Sequence, residues 1–427
     1  MGHFFTSCDR LTPIRVGICA DFREEQWPSM DRVASMLHRQ LQQSHTRSIH
    51  ASMLCPAFSR RLSRVPLARR LRPAVNADRF LNRFWDYPRS LGRAAGHDVF
   101  HVVDHSYAHL VHELPAERTV VTCHDLDAFR SIVVPAQEPR SAAFQAAARR
   151  ILAGLRRAAC VACDTEAVRD ELAGRRLVRE DRLVVVPLGA GDAFAAPADA
   201  AADREAARLT GSPPAAVELL HVGSTVIRKR IDVLLRVCAA LRRAMPGVRL
   251  VRVGGPLSAD QQCLAAELGI AGHIVSLRRV DERTLAALYR RAALVLQPSE
   301  REGFGLPLIE AMACGTPVVA SDIAVLREVG GQAIEYCPIG DLEHWSATVA
   351  RLLSERLDAP SRWHARCEEA RLRAAQFTWQ RFAASMAGIY GSLADRPCSL
   401  ERVDQPHSSI VRRDGCGFPE NGRAPVR

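Results

Sequence analysis

The sequence has almost no lysine. Lys229 is the only one among the 58 basic residues of the 427-residue chain, and all the others are arginine. Because this preference runs through the whole sequence and accompanies a high alanine content, we attribute it to coding bias rather than to one ligand. Under such a bias, we expect an isolated lysine to be kept for the chemistry of its compact ammonium group; the alternative is that it was left by chance.

Long apolar runs and a disulfide framework are also missing. No run reaches the roughly 18 apolar residues that indicate a membrane-spanning helix, and the 13 cysteines are scattered singly within apolar stretches. The pair Cys160 and Cys163 has no second pair with which to complete a zinc site. We therefore expect reduced thiols, no bound metal and a cytoplasmic protein, at most peripheral at the inner face of the membrane.

Acidic residues are too few to balance the basic ones, and the formal net charge is +11. This charge favours an anionic partner. No zinc-finger, homeodomain or RNA-recognition pattern accompanies it, so no nucleic-acid partner is expected. Six arginines alternate with apolar side chains at 60–73, a segment that suits an anionic membrane surface. The alternative is a solvated basic helix, and Pro66 interrupts any continuous amphipathic face.

Short apolar runs alternate with helical patterns along the chain. The first half contains strand-like runs such as IRVGICA at 14–20, and periodicity predicts a helix at 30–43. Such alternation predicts a parallel sheet with helices on both faces. A second alternation begins at 217, after an Ala- and Asp-rich stretch that contains Pro213 and Pro214.

The predicted fold is therefore α/β, with two doubly wound Rossmann-like domains that face each other across a cleft. The predicted boundaries are 14–190 for the first domain, 191–216 for a linker and 217–377 for the second domain. A helix at 378–394 is predicted to cross back to the first domain, and the polar, aperiodic tail at 395–427 to be disordered. Ligands of such sheets bind at the carboxyl ends of the strands.

The most informative segment is PSEREGFGLPLIEAMACGTPVVASD at 298–322. Seven residues separate Glu302 from Glu310, and Pro307 suits the first turn of a helix, so Glu302 is predicted on a loop and Glu310 inside the helix. Bare backbone N–H groups at a helix N-terminus suit a phosphate or sugar hydroxyls. Carboxylates accept hydrogen bonds from a diol. Phosphate and several hydroxyls together describe a nucleotide sugar.

This segment resembles the signature of the retaining family-4 glycosyltransferases, also called glycosyltransferase group 1, which have the two-domain GT-B fold. Weaker similarities run through HVGSTVIRKRIDVLL, ALYRRAALVLQPS, VVTCHDL, ACDTEAVRDEL and VVVPLGAGDAF. The resemblance covers roughly residues 14–390. It implies that the first domain lies on the acceptor side and that the second binds the nucleotide sugar.

The resemblance also implies roles for individual residues. Glu302 would hold hydroxyls of the transferred sugar, and Glu310 would hold the ribose diol. Where many members have an arginine after the strand-end glycine, Ser224 stands here, so Arg228 would join Lys229 in neutralising the diphosphate without a metal ion. The implied catalytic residues are Glu302, His124, Arg228 and Lys229. The implied donor-binding residues are Gly223, Ser224, Arg228, Lys229, Val280, Glu302, Gly303, Phe304, Gly305, Leu306 and Glu310. The acceptor-side candidates are Trp27, Ser29 and His105.

The implied function is transfer of a hexose, with retention, from a UDP- or GDP-linked sugar to a hydroxyl acceptor, with no cofactor. The acceptor would be a glycan or lipid-linked glycan in cell-surface polysaccharide assembly. A sugar-nucleotide epimerase with the same fold and a degenerate, non-catalytic sugar-nucleotide-binding protein are the alternatives. A Schiff base between Lys229 and pyridoxal phosphate is disfavoured, because the family pattern already assigns this lysine to a phosphate. A glycosidase is disfavoured because Glu302 and Glu310 flank a helix start instead of facing each other across a cleft.

Overall fold

The computed structural model describes residues 12–64, 71–92, 96–211, 213 and 215–395. They form two α/β halves, each built around a six-stranded, all-parallel sheet. The α/β two-domain fold predicted from the sequence is therefore confirmed. The tail predicted at 395–427 lies, beyond its first residue, outside the described residues.

The first sheet has the strand order β2-β1-β3-β4-β5-β6. Its strands are β1 Ile14–Cys19, β2 Ile49–Leu54, β3 Val99–Val102, β4 Thr119–Cys123, β5 Cys160–Cys163 and β6 Leu183–Val185. Its helices are α1 Pro28–Ser44, α2 Arg72–Leu81, α3 Tyr87–Leu91, α4 Arg130–Val133, α5 Ala142–Arg157 and α6 Glu166–Gly174. A turn of π-helix at Asn82–Asp86 joins α2 to α3, and His105–Glu113 is a 3-10 helix.

The second sheet has the order β12-β11-β10-β7-β8-β9. Its strands are β7 Val217–Val222, β8 Val248–Val253, β9 Ile274–Leu277, β10 Leu294–Gln297, β11 Val318–Ser321 and β12 Glu335–Cys337. The helices of this half and its flanks are α7 Asp192–Ala195, α8 Ala200–Thr210, α9 Ile231–Ala244, α10 Ala259–Glu267, α11 Glu282–Arg291, α12 Leu306–Ala313, α13 Ala324–Gly330, α14 Leu342–Asp358, α15 Pro360–Ala374 and α16 Trp379–Ala394.

Each sheet reverses its strand order once, which creates a crevice at the carboxyl ends of two neighbouring strands. The reversal lies between β1 and β3 in the first sheet and between β7 and β10 in the second. Central strands such as β4 and β10 are buried along their whole length, as expected where helices cover both faces. In doubly wound sheets this crevice is where ligands bind.

The chain crosses between the halves twice, and the two crossings lie side by side. The Ala190 N–H donates to the Phe377 carbonyl at 3.1 Å. A Cβ at Gly189 would lie 2.2 Å from the Trp379 nitrogen, so only glycine fits this approach. Beyond the crossing, α16 packs against α1, and the Tyr390 hydroxyl lies 2.7 Å from His101 Nδ1. The last helix thus returns to the first half.

The segment at 191–216, predicted as a linker, contains helices α7 and α8. Helix α8 begins at an Asp199 cap and packs against α11 of the second half. Among the described helices, none combines the length and apolar character needed to cross a bilayer.

Candidate active site

Two loops meet at the reversal point of the second sheet. The loop after β7 runs through Gly223 to a 3-10 turn at Ile227–Lys229, and the loop after β10 carries Glu302. The Glu300 N–H donates to the Arg228 carbonyl at 2.8 Å and fastens the loops together. The fold therefore brings the basic candidates Arg228 and Lys229 and the acidic candidate Glu302 together at the carboxyl ends of β7 and β10.

Glu302 lies inside a cage of donors. Its Oε1 accepts from Lys229 Nζ at 2.6 Å and from Gln297 Nε2 at 2.8 Å, while Arg228 Nη1 is 3.6 Å from Oε2. The side chain is only 7% exposed. Burial opposes its ionisation, but the charges of Lys229 and Arg228 outweigh burial and hold the pKa of Glu302 below its usual value. Glu302 is thus an ionised hydrogen-bond acceptor.

Arg228 links this cage to the first half. Its Nε lies 2.9 Å from Asp127 Oδ2, and its Nη1 donates to the Arg301 carbonyl at 2.9 Å. Asp127 belongs to the loop that follows β4, so the ion pair spans the cleft. The guanidinium can bind only anions that approach alongside Asp127 and Glu302.

The glycine-rich loop touches the opposite half through its backbone. A Cβ at Gly303 would lie 1.8 Å from the His124 carbonyl oxygen, and Thr165 Oγ1 donates to the Gly303 carbonyl at 3.2 Å. Gly305 has φ of 96° and caps α12, a left-handed conformation that glycine adopts without strain. The Phe304 ring is buried 5.7 Å from the Phe377 ring, so this residue offers a ligand only its backbone.

Glu310, the predicted ribose-binding carboxylate, is buried in α12 with partners from two elements. Tyr289 donates its hydroxyl to Oε2 at 2.9 Å, and Arg32 of the first half makes a short ion pair with Oε1. The same guanidinium lies 3.3 Å from Glu282 Oε1. Burial raises the pKa of Glu310, and Arg32 and Tyr289 only partly offset this effect. Arg32 therefore occupies the carboxylate that was predicted to bind the ribose diol.

His124 lies at the cleft, but its ring is committed to protein acceptors. Nδ1 is 2.7 Å from an Asp164 carboxylate oxygen, and Nε2 is 2.8 Å from the Val103 carbonyl. Both partners accept, so both nitrogens donate and the ring is an imidazolium. Burial opposes the charge, yet Asp164 raises the pKa of His124 to about 9. This geometry makes His124 a positioning residue, and its contact with the donor sugar stays a prediction.

The acceptor-side candidates lie on segments of the first half, and none of the described hydrogen bonds, ion pairs or ring contacts joins any two of them. His105 is buried, with Nε2 3.4 Å from Asp125 and Nδ1 3.3 Å from Asp104. Trp27, 54% exposed, precedes α1, and Ser29 is exposed in its first turn. Trp27 and Ser29 follow β1, and His105 follows β3; these are the two strands at the first sheet's reversal point.

The remaining donor-side candidates lie on loops at the second sheet's carboxyl edge. Gly223 and the exposed Ser224 follow β7, Leu306 opens α12, and the half-buried Val280 lies between β9 and α11. Among the described residues, no group of three or more His, Cys, Asp or Glu side chains is arranged to hold a metal ion.

Several residues of this site were not predicted. Gln297 and Asp127 had a usable signal, because each is a polar side chain at or just beyond the end of a buried strand. Arg32 had none, since its contact with Glu310 joins positions 278 residues apart. From the sequence alone, Tyr289 would be interpreted as an ordinary core residue of α11.

Comparison with known families gives two matches that together span most of the described chain. Residues 30–191 match the model for Glycosyltransferase Family 4, and residues 205–370 match that for Glycosyl transferases group 1. The chain is similar to D-inositol 3-phosphate glycosyltransferases, with 36% identity over 220 residues for that of Segniliparus rotundus and 35% over 227 for that of Mycolicibacterium smegmatis. These alignments cover 49% and 50% of this chain and 46% and 48% of the relatives. The chain thus spans about half the length of these relatives.

Solved structures resemble the whole fold at low sequence identity. Sucrose-phosphate synthase from Thermosynechococcus elongatus superposes with a TM-score of 0.69 at 21% identity, covering 89% of this chain and 99% of that one. HepE from Anabaena, solved with UDP-glucose, gives 0.62 at 16% identity, covering 89% and 100%. At such identities the likeness establishes the fold alone.

Proposed function

The chain belongs to the family-4 glycosyltransferases with the GT-B fold, and from this premise we propose that it transfers a hexose from a nucleoside diphosphate sugar to an acceptor hydroxyl. The observation that carries the proposal is the cage in which Glu302 is held by Lys229, Arg228 and Gln297 at the second sheet's reversal point. It presents a carboxylate for sugar hydroxyls beside two cations for phosphate.

The two cations would stabilise the departing nucleoside diphosphate. An ammonium has three donors, so Lys229 can bond Glu302 and a phosphate oxygen at once. Arg228, already bonded to Asp127, would contribute from the other side. As charge builds on the leaving phosphate, preorganised cations lower the barrier without reorganising. We therefore propose that transfer needs no metal ion and persists in excess chelator.

We propose that the anomeric configuration is retained. Glu302 is poorly placed as a nucleophile, because its Oε1 is committed to Lys229 and Gln297 and its Oε2 faces Arg228. Its low pKa leaves it without the proton that a general acid needs. Attack on the face from which the diphosphate leaves, with a donor phosphate oxygen taking the acceptor's proton, requires no second carboxylate. Nuclear magnetic resonance of the first-formed anomer tests this proposal.

The donor base and acceptor are proposed from similarity. HepE is described in complex with UDP-glucose, which favours UDP over GDP as the first donor to test. The curated relatives are named for D-inositol 3-phosphate, so a phosphorylated polyol should be tested beside glycan and lipid-linked glycan acceptors. A phosphorylated acceptor suits the net charge of +11.

A peripheral contact with anionic lipid through 60–73 belongs to the same proposal. In the described part, Arg60, Leu62 and Arg64 are exposed, and Asp78 accepts the backbone N–H groups of Arg61 and Leu62. Residues 65–70, which include Pro66, lie outside the described residues. Binding to phosphatidylserine vesicles that weakens with salt would support the contact, since screening acts over about 8 Å at physiological ionic strength.

The deciding experiment is incubation with UDP- and GDP-hexoses, with and without the acceptor panel, in excess chelator. Sugar transfer to an acceptor supports the proposal. A new nucleotide sugar formed from donor alone would indicate the epimerase. Donor binding without turnover on any acceptor would favour a non-catalytic binding protein.

A further inference from the structure

Arg252 is a fully buried cation without an acidic partner among the described residues. It lies near the end of β8 with 0% of its surface exposed, and within the described part of the chain its donors reach only the carbonyls of Gly223, at 3.3 Å, and Gly255, at 3.4 Å. Its Nε has no hydrogen-bond partner among the residues that the structure describes. Burial lowers the pKa of Arg252 to about 10, so it remains charged at neutral pH. A buried charge without a counter-charge opposes folding.

This cation lies under the turn at which β7 enters the donor-side crevice. A Cβ at Gly254 would lie 2.2 Å from the Gly223 oxygen, and a Cβ at Gly223 would lie 3.8 Å from Lys229 Cε. Two glycines, Gly223 and Gly254, therefore allow the backbone segments to approach closely where Arg252 and Lys229 lie near the same peptide. Of the two cations, only Lys229 has a carboxylate, in Glu302.

The contact with the Gly223 carbonyl also sets the direction of the next N–H. In a trans peptide the carbonyl and the following N–H point in opposite directions. Because Arg252 donates to the Gly223 oxygen, the Ser224 N–H points away from Arg252, and Ser224 itself is exposed. A cation at the carbonyl also polarises that peptide and strengthens its donor.

We propose that Arg252 is a positioning residue of the diphosphate subsite, which aims the Ser224 N–H at a phosphate oxygen and adds a buried positive charge beneath it. The inference rests on the proposed function, because it takes the anion at this turn to be the diphosphate of the donor. That anion would supply the counter-charge that Arg252 lacks. Arg252 itself does not touch the ligand.

The test separates the contribution of the diphosphate from that of the nucleoside. Calorimetric affinities for UDP and uridine, and for GDP and guanosine, are measured in the wild type and in Arg252→Met, which keeps the apolar stem and removes the charge. We expect the diphosphate to bind about tenfold more weakly and the nucleoside unchanged, because only the charged moiety feels the lost cation. The ligand-free melting temperature should not fall.

Arg249→Met is the matched control. It removes the same charge from β8, roughly 10 Å along the strand, and should leave both affinities unchanged. Arg252→Lys keeps the charge but loses the fork that reaches two carbonyls, so it should recover part of the diphosphate affinity. If Arg252→Met fails to fold, the diphosphate affinity of Arg252→Lys can be compared directly with that of the wild type.

The possible results distinguish a purely structural role of Arg252 from the proposed role in the diphosphate subsite. Equal losses for nucleoside and diphosphate would show a purely structural role and overturn the inference, and so would unchanged diphosphate affinity in Arg252→Met or a full loss in Arg252→Lys. If the wild type itself bound neither UDP nor GDP, the proposed function would fail first, and that result is distinguishable from failure of this inference.

Discussion

At the scale of single residues, Lys229 tests whether the solitary lysine has a chemical reason. Its ammonium is 2.6 Å from Glu302, and its side chain is only 11% exposed. A guanidinium is a larger, planar group that keeps the charge, and the Lys229 side chain is nearly buried where it contacts Glu302. We expect Lys229→Arg to keep most of the diphosphate affinity but to lose about tenfold or more in kcat.

Steady-state kinetics with the active donor measures this loss, and Lys229→Ala sets the scale by removing the charge as well. Near-normal kcat in Lys229→Arg would mean that the lysine is an accident of composition. The phosphate site itself would survive that result.

Arg32 provides a second residue-scale prediction, because it holds the carboxylate assigned to the ribose. If Glu310 binds the diol, the nucleotide must displace Arg32 from it. We therefore expect Arg32→Met to tighten uridine or guanosine binding by several-fold, up to about tenfold, since a charge-assisted hydrogen bond no longer competes. Arg39→Met, an exposed change on the same helix, is the control. Weaker nucleoside binding in Arg32→Met would place Arg32 among the groups that hold the ligand.

The buried imidazolium of His124 predicts how stability depends on pH. Its pKa is raised to about 9 by Asp164 in the folded protein and is near 6.5 when unfolded. The raised pKa of His124 therefore contributes stability that is fully present below about pH 6.5 and is lost as pH rises through about 9. The free energy of unfolding in denaturant at pH 6.5 and 9.5 measures the loss. His124→Gln should lack this component. If the free energy of unfolding fell by the same amount between the two pH values in both proteins, the ion pair would be contradicted.

At the residue scale, sequence reasoning can single out candidates where the pattern is encoded locally. Glu302, Gly303 and Glu310 lie within one short segment, and Lys229 is isolated by composition, so all four could be picked without a structure. Arg32 and Asp164 could not, because their roles depend on contacts between the two halves or between neighbouring strands. The engagement of both His124 nitrogens was likewise invisible, since it requires the ends of β3 and β5.

At the scale of secondary-structure elements, the strands at the centre of each sheet were predictable from their apolar runs. β2, an edge strand with alternating exposure, was not interpreted, and neither were α2 and α3. The stretch at 191–216 was predicted as a linker because of its Ala and Asp content. Its helix α8 is stabilised by packing on α11, a partner that composition does not reveal.

The paired crossings between the halves give a prediction for the elements that join them. Gly189→Ala would drive a methyl group into the backbone at Trp379, 2.2 Å away, and a backbone cannot yield as a side chain can. We expect a loss of about 1–3 kcal/mol in unfolding free energy. Gly388→Ala, inside α16 with nothing within 4 Å of its Cβ, should be neutral or stabilise by about 0.5–1 kcal/mol. Equal behaviour of the two variants would show that the crossings are looser than described.

At the scale of the whole molecule, the two halves meet through the same residues that form the candidate site. Arg228 reaches Asp127, Gly303 abuts the His124 carbonyl, and Arg32 reaches Glu310. A ligand that engages Arg228 or Glu310 must therefore adjust contacts between the halves. The central claim is that this crevice binds a nucleoside diphosphate sugar, with Glu310 on the ribose and Glu302 on the transferred sugar.

The most direct test is the stabilisation of the wild type, Glu302→Ala and Glu310→Ala by UDP and GDP, measured as unfolding free energy, with kcat for the active donor. One diphosphate at 100 times its Kd should stabilise the wild type by about 2.7 kcal/mol. Glu310→Ala should lose much of that stabilisation at the same concentration, whereas Glu302→Ala should keep it and lose turnover. If neither diphosphate stabilised the wild type, or if both variants bound and turned over like it, the claim would be contradicted.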